Sequence, residues 1–351
     1  MVELRRATLK DIAQSLGVSV NTVSRALTGK DSVGEATRAR IKMEAERLGY
    51  VPNSMARSLV LGSAMTLGLV ITNPSNPFYA KLISAIEQRG RVHGYSLMLL
   101  TTEESPEGDL AAASTLVQQG VDGALVVPVQ GGGEHWAKFN GSGVPVVCVN
   151  RDLASRNLDF IGVDYETAAH EAAAHLISSG ARTLRLLEED LPISPVADRI
   201  SGFRRALAEA GIDSDSDPVI SVPTRRRESL ALPWDPSDAY RIAQQIVRGP
   251  DRPDAIMVGN DYFALGVYRA VAEADLRIPD DVLIGGFGDH PFAAYLNPPL
   301  TTVRLPAGDI GAAAVDLLLR RMKNRDQGEA EKSRLPSELV VRESSRRSRA
   351  P

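Results

Sequence analysis

At 351 residues the chain exceeds the roughly 250–300 at which a single hydrophobic core stops growing, so it is expected to divide into a small head and a large body. An apolar fraction of 43% with 5% aromatics suits an α/β globule, while the lone cysteine excludes a disulfide framework and no apolar run of about 18 residues is long enough to span a membrane. The net charge of −4 argues against nucleic acid until it is divided: residues 1–61 hold ten Lys/Arg against six Asp/Glu, net +4, which leaves −8 for the remainder, the asymmetry of a nucleic-acid-binding head on an acidic body.

The head reads as three helices. Thr8-Leu9-Lys10-Asp11 has the form of a capping box, which predicts a helix with Ile12, Ala13 and Leu16 as its apolar stripe, ended by Gly17. Ser19 caps a second helix running to Leu27, with Val18, Val23, Ala26 and Leu27 inward and Val20, Asn21, Ser24 and Arg25 outward. A small residue at 13 lets the second helix cross closely, and glycine at 17 accepts the turn, which together define a helix-turn-helix. A third amphipathic helix is predicted over 35–48, stopping at Gly49. The following run, 53–59, is compatible with helix but too short to be stable alone in water.

From residue 65 onward, short runs rich in Val, Ile and Leu alternate with helical patterns. Strands are predicted over 65–72, 96–101, 124–128, 145–150, 160–163, 184–187, 219–222, 255–259 and 282–287, with helices over 79–93, 109–119, 134–140, 165–178, 198–210, 237–247 and 262–274. The strands lack polar alternation and so read as buried and parallel, the makings of two doubly wound lobes. Residues 326–334 read as a charged loop before a last strand over 338–342. Cys148 lies in an apolar run and reads as a core residue of a reduced compartment; with no charged-then-apolar segment at the start, a cytoplasmic location is expected.

Several apparent motifs do not carry chemistry. His170 and His175 are five residues apart, about 140° around a helix, whereas a zinc helix needs histidines at a spacing of four. Thr28-Gly29-Lys30 lacks the upstream glycine and the hydroxyl residue of a phosphate loop, and the glycines at 131–133 and 285–288 lack dinucleotide-fingerprint spacing. No set of nucleophile and base stands out, so no enzyme activity, no catalytic residue, no metal and no cofactor are expected.

The segments TLKDIAQSLGVSVNTVSRALTGK, TRARI, LGYVPNSMARSL, NPFY, GNDYFALG, PPLTTV and ELVVRESS occur in order along almost the whole chain and together resemble the LacI/GalR family of bacterial transcription regulators. The resemblance implies a homodimeric, sequence-specific DNA-binding regulator, a repressor, whose affinity for a near-palindromic operator is switched by a small sugar-like effector. Its organisation would be a helix-turn-helix domain over 1–52, a hinge helix over 53–61, a two-lobed α/β body of periplasmic-binding-protein type over 62–343 and a disordered tail over 344–351. Lobe crossings are expected near 162–164, 290–293 and 321–335. Control by a protein co-regulator, or a sugar-binding role without DNA, are the alternatives.

In the major groove the first exposed residues of the second helix read base edges, which assigns Val20 to a thymine methyl, Asn21 to adenine and Arg25 to guanine. Thr8, Ser19, Thr22, Ser24 and Thr37 are phosphate candidates, with Thr8 and Ser19 equally suited to capping. By resemblance Asn53 and Ala56 belong to the hinge helix and Leu59 is an apolar wedge in the minor groove. The effector pocket implied by the family comprises Phe78, Tyr79, Asn150, Arg199, Trp234 and Asp261, with Asp289 able to reach inward. Gly288 and Asn150 stand where many members carry aspartate. Their loss of negative charge, with Arg199 kept, points to an anionic sugar derivative, unless Glu188, Glu189 and Asp190 restore acidity.

Overall fold

The computed structural model describes residues 7–27, 33–50, 63–153, 156–212, 217–226, 234–324 and 328–347. It forms two units, Met1–Ala64 and Met65–Pro351. The predicted hinge helix, with Asn53, Ala56 and Leu59, lies outside the described residues.

In the head, α1 (Leu9–Leu16) begins with the predicted capping box: Thr8 Oγ1 accepts the Asp11 N–H at 3.3 Å and the Asp11 carboxylate accepts the Thr8 N–H at 2.8 Å. Gly17 takes the left-handed conformation at φ 64° and returns its N–H to the Ala13 carbonyl, which turns the chain into α2 (Val20–Leu27). Ile12, Ala13, Val23 and Ala26 pack on Ile41 and Ala45 of α3 (Glu35–Arg47). Ala13, 5% exposed, provides the close crossing expected of it.

Among the described residues the body contains two six-stranded sheets. The first uses β1 (Thr66–Ile71), β2 (Ser96–Thr101), β3 (Gly123–Val126), β4 (Val146–Val149), β5 (Asp159–Val163) and β11 (Lys332–Leu335), in the order β11-β5-β4-β3-β1-β2, all parallel. The second uses β6 (Leu184–Asp190), β7 (Val219–Pro223), β8 (Ala255–Val258), β9 (Leu283–Gly288), β10 (Thr301–Arg304) and β12 (Glu338–Val340), in the order β12-β10-β9-β8-β6-β7, with only β12 antiparallel. Helices α4 (Pro77–Val92), α5 (Pro106–Gln119), α6 (Glu134–Gly141), α7 (Tyr165–Ser178), α8 (Ser194–Glu209), α9 (Ser237–Arg248), α10 (Asp261–Glu273) and α11 (Ala307–Lys323) cover the faces. Parallel strands covered on both faces explain the unbroken apolar runs of β3, β4 and β8, each buried at every position.

Four sequence expectations are corrected. Ser96–Thr101 is not a buried strand; it is the edge of its sheet, and each of its positions is exposed or half-buried. Strand β10 and the 17-residue helix α11 were not anticipated, and they move the second lobe crossing from 290–293 to the link between Arg304 and Ala307, because β10 stays paired with β9. The charged stretch expected to be loop contributes β11, which pairs with β5. The expected tail is ordered at its start: Ser344 and Ser345 are fully buried, with Ser344 Oγ donating to the Ile284 carbonyl at 2.7 Å and accepting the Thr301 N–H at 2.8 Å.

Candidate functional site

Two surfaces hold the residues singled out from sequence. On α2, Val20 is 44% exposed although apolar, and Asn21 and Arg25 are exposed beside it, so the three form one outward face. Ser19 Oγ accepts the Thr22 N–H at 3.1 Å and lies 2.8 Å from Thr22 Oγ1, so both hydroxyls serve the start of α2. Thr8 is likewise committed to its cap, with Oγ1 2.7 Å from the Asp11 carboxylate. Ser24 and Thr37 are half-buried.

The second surface is a narrow cleft between the two sheets. Its wall is assembled from the carboxyl ends of strands and the adjoining helix starts, the position where open α/β sheets bind ligands. Lobe one contributes Phe78 and Tyr79 from the start of α4, and Asn150 and Arg151 after β4; lobe two contributes Glu188 and Glu189 from β6, Arg199 from α8, Gly288 at the end of β9 and His290 just after it. Asn76 caps α4 by accepting the Phe78 N–H at 2.9 Å, which fixes the aromatic pair in place. Asn150 adopts φ 65° and its Oδ1 accepts the Tyr165 hydroxyl at 2.8 Å.

The cleft is lined with charges that are already matched. Arg199 donates from Nε and Nη2 to the two Glu188 oxygens at 2.8 Å each and lies over the rings of Tyr165 and Phe287 at 5.3 and 5.4 Å. Arg226 donates to both Glu189 oxygens at 2.8 and 2.6 Å and reaches Glu104 Oε1 at 3.3 Å. Arg151, fully buried, forms a paired contact with Glu104 at 2.8 and 2.5 Å. The neighbouring Arg151 and Arg226 guanidiniums outweigh the desolvation of Glu104 and hold its carboxyl below the usual range.

Of the residues expected in the pocket, Phe78, Tyr79, Asn150 and Arg199 line it, and Trp234, Asp261 and Asp289 do not. Trp234 is buried behind the wall, its ring 4.8 Å from the Arg226 guanidinium, so it supports that side chain. Asp261 is fully buried and accepts from Thr302 Oγ1 at 2.7 Å and the His290 N–H at 2.9 Å, which makes it a brace between β10 and the β9 exit. Asp289 faces away, paired with Arg304 and Arg342 at 2.7 Å each, and these partners hold its carboxyl below the ordinary range against the opposing effect of burial. Arg199, on which the anionic-ligand expectation rested, is paired with Glu188, and Glu188 and Glu189 place negative charge in the wall. Sequence reading missed Arg151, Tyr165, Arg226 and His290. Only Arg151, next to Asn150 at a strand end, had a positional signal.

Comparison with known proteins gives the class. Residues 8–53 match the model of bacterial regulatory proteins of the lacI family, and residues 173–345 match the periplasmic binding protein-like domain. The chain is 31% identical over 319 residues to the ribose operon repressor of Escherichia coli (strain K12), covering 90% of this chain and 93% of that protein. Its fold superposes with a TM-score of 0.86 on the lac repressor dimer bound to operator and the anti-inducer ONPF, at 24% identity, covering 97% and 99% of the two chains. It also matches the transcriptional regulator CelR in complex with cellobiose, with a TM-score of 0.70 and 26% identity over 97% of this chain and 100% of that one. The chain belongs to the LacI family and is a DNA-binding transcriptional regulator under small-molecule control.

Proposed function

We propose that the chain is a cytoplasmic repressor, working as a homodimer, whose effector is a small, electrically neutral, polyhydroxylated molecule of sugar type. The observation that carries the effector class is the pairing of cations in the cleft: Arg199 with Glu188, Arg226 with Glu189 and Arg151 with Glu104. A charged ligand would bring uncompensated charge into a site whose own charges cancel, at the cost of desolvation. Hydroxyls, by contrast, meet both the guanidinium donors and the carboxylate acceptors, and Phe78 and Tyr79 offer apolar faces. The ribose and cellobiose in the names of related proteins agree with this class.

In the head, Val20, Asn21 and Arg25 of α2 are assigned to base edges. Thr8, Ser19 and Thr22 have structural hydrogen bonds that leave them, with Ser24 and Thr37, to backbone contacts at most. The hinge role of 53–61 and the wedge role of Leu59, which the resemblance implies, complete this proposal on residues outside the described ones. For the dimer, Leu99 on the edge strand β2 and Leu110 and Val117 on α5 are 41%, 54% and 61% exposed, an apolar patch that a second copy would cover.

The test is a thermal-shift and calorimetric comparison of the full-length chain with neutral sugars, sugar acids and sugar phosphates. Stabilisation by neutral sugars alone is expected. Tighter binding of the acids or phosphates would overturn the neutral assignment.

A further inference from the structure

We propose that the Nε2 atom of His290 determines specificity in this cleft by hydrogen-bonding a hydroxyl of the bound effector. The inference rests on the polyhydroxylated-effector reading and names the atom that enforces it.

Gly288 and His290 both line the cleft, and they occupy one another's space. A Cβ placed on Gly288 would lie 2.9 Å from Cε1 and 3.2 Å from Nε2 of His290, and Gly288 itself sits at φ 134°, a conformation that strains any other residue. The imidazole edge therefore fills the space that a side chain at position 288 would need. Its position is fixed from three sides. The His290 N–H donates to Asp261 Oδ2 at 2.9 Å, and the ring lies 5.1 Å from Tyr262 and 5.8 Å from Phe292.

His290 is only 4% exposed, and its Nε2 has no hydrogen-bond partner among the described residues. A buried polar atom left in this state carries a desolvation penalty that a ligand group of the right polarity removes. An apolar ligand leaves the penalty in place, so the atom discriminates through the difference between the two. Burial also moves the imidazole down to about 4, helped by Lys81, against the opposing pull of Asp289. A neutral ring can donate to a hydroxyl or accept from it, and it gives no charge to attract a carboxylate or phosphate.

The test compares wild type, H290F and H290Q as full-length chains, using D-ribose, cellobiose and a panel of other neutral sugars, by calorimetry and thermal shift. Phenylalanine keeps the ring contacts and removes the nitrogen, while glutamine returns a polar atom at similar reach. The expected result is a ligand-free melting temperature for H290F at or above that of wild type, affinity for the active sugar about tenfold weaker, and partial recovery in H290Q. Equal affinity of wild type and H290F for a sugar that binds would overturn the role of Nε2 and leave the effector class standing. Failure of every neutral sugar to stabilise wild type would overturn the effector class, and this inference with it. If H290F does not fold, wild type labelled with 15N-histidine decides: the Nε2 resonance of His290 moves on saturation with the active sugar, and an unmoved resonance rejects the contact.

Discussion

Asp261 shows how a residue type chosen correctly from sequence can serve a different purpose in the fold. It lies at the start of a helix facing the cleft, which is why it reads as a ligand contact, yet both oxygens are taken by Thr302 and the His290 backbone. Burial raises its carboxyl to about 6, against the lowering effect of its hydrogen bonds. Because the folded value lies above the unfolded one, the folded state holds more protons between about pH 4 and 6, and Asp261 lowers stability as pH rises through that window. His290, depressed to about 4, has the opposite slope over an overlapping range, so the wild-type profile alone does not separate them. D261N does: asparagine can turn its oxygen to the His290 N–H and its amide to Thr302 Oγ1. Denaturation midpoints at pH 4, 5, 6 and 7 are expected to show D261N gaining on wild type as pH rises from 4 to 6 and holding that gain above it; parallel profiles would contradict the assignment. The family resemblance is what implied Asp261, Arg199 and Asn150 as residues of the cleft. It could not give their partners, since Glu188 and Arg199 are joined only by the packing of β6 against α8.

At the scale of elements, legibility followed local signals. The capping box, Gly17 and the small residue at 13 fix the head, and apolar runs flanked by helices fix most of the body. β2 was misjudged because apolar content does not say whether a neighbour covers the strand. β10 spans only four residues, too few to show a clear period, and α11 opens with a run rich in glycine and alanine that carries a weak helix signal. Helix pairing is a further feature with no local signal. Where α8 crosses α7, a Cβ on Gly202 would lie 2.0 Å from the Glu166 carbonyl oxygen and 2.9 Å from the His170 nitrogen. Both obstacles are backbone, so the helices must separate to admit even a methyl. Although alanine is the better helix former by about 1 kcal/mol, G202A is expected to be destabilised by about 1–3 kcal/mol through overpacking. Urea midpoints measure it, and a variant at least as stable as wild type would show that α7 and α8 can shift without loss.

For the whole body, the mechanism depends on how the lobes are held across the cleft. Arg226 leaves lobe two beyond β7 and touches Glu104, which belongs to lobe one, while keeping both bonds to Glu189 on its own lobe. Glu104 in turn keeps both bonds to Arg151. Opening the lobes breaks the single 3.3 Å contact and leaves no ion without a partner. A buried ion pair costs about 3–5 kcal/mol to break when one charge is left uncompensated; this contact avoids that penalty and so suits repeated opening and closing. A ligand then shifts the equilibrium only through its different affinities for the open and closed forms. Removing Arg226 alone would strand Glu189, so the informative variant is R226M/E189Q, which removes the reach across the cleft and the charge behind it together. Small-angle scattering of the ligand-free protein is expected to give a larger radius of gyration for the double variant than for wild type, with the difference removed by a saturating effector. An unchanged radius would mean that other contacts between the lobes, such as Gln130 and Asp152 with Ser194 and Arg334 with Asp198, hold them closed without Arg226.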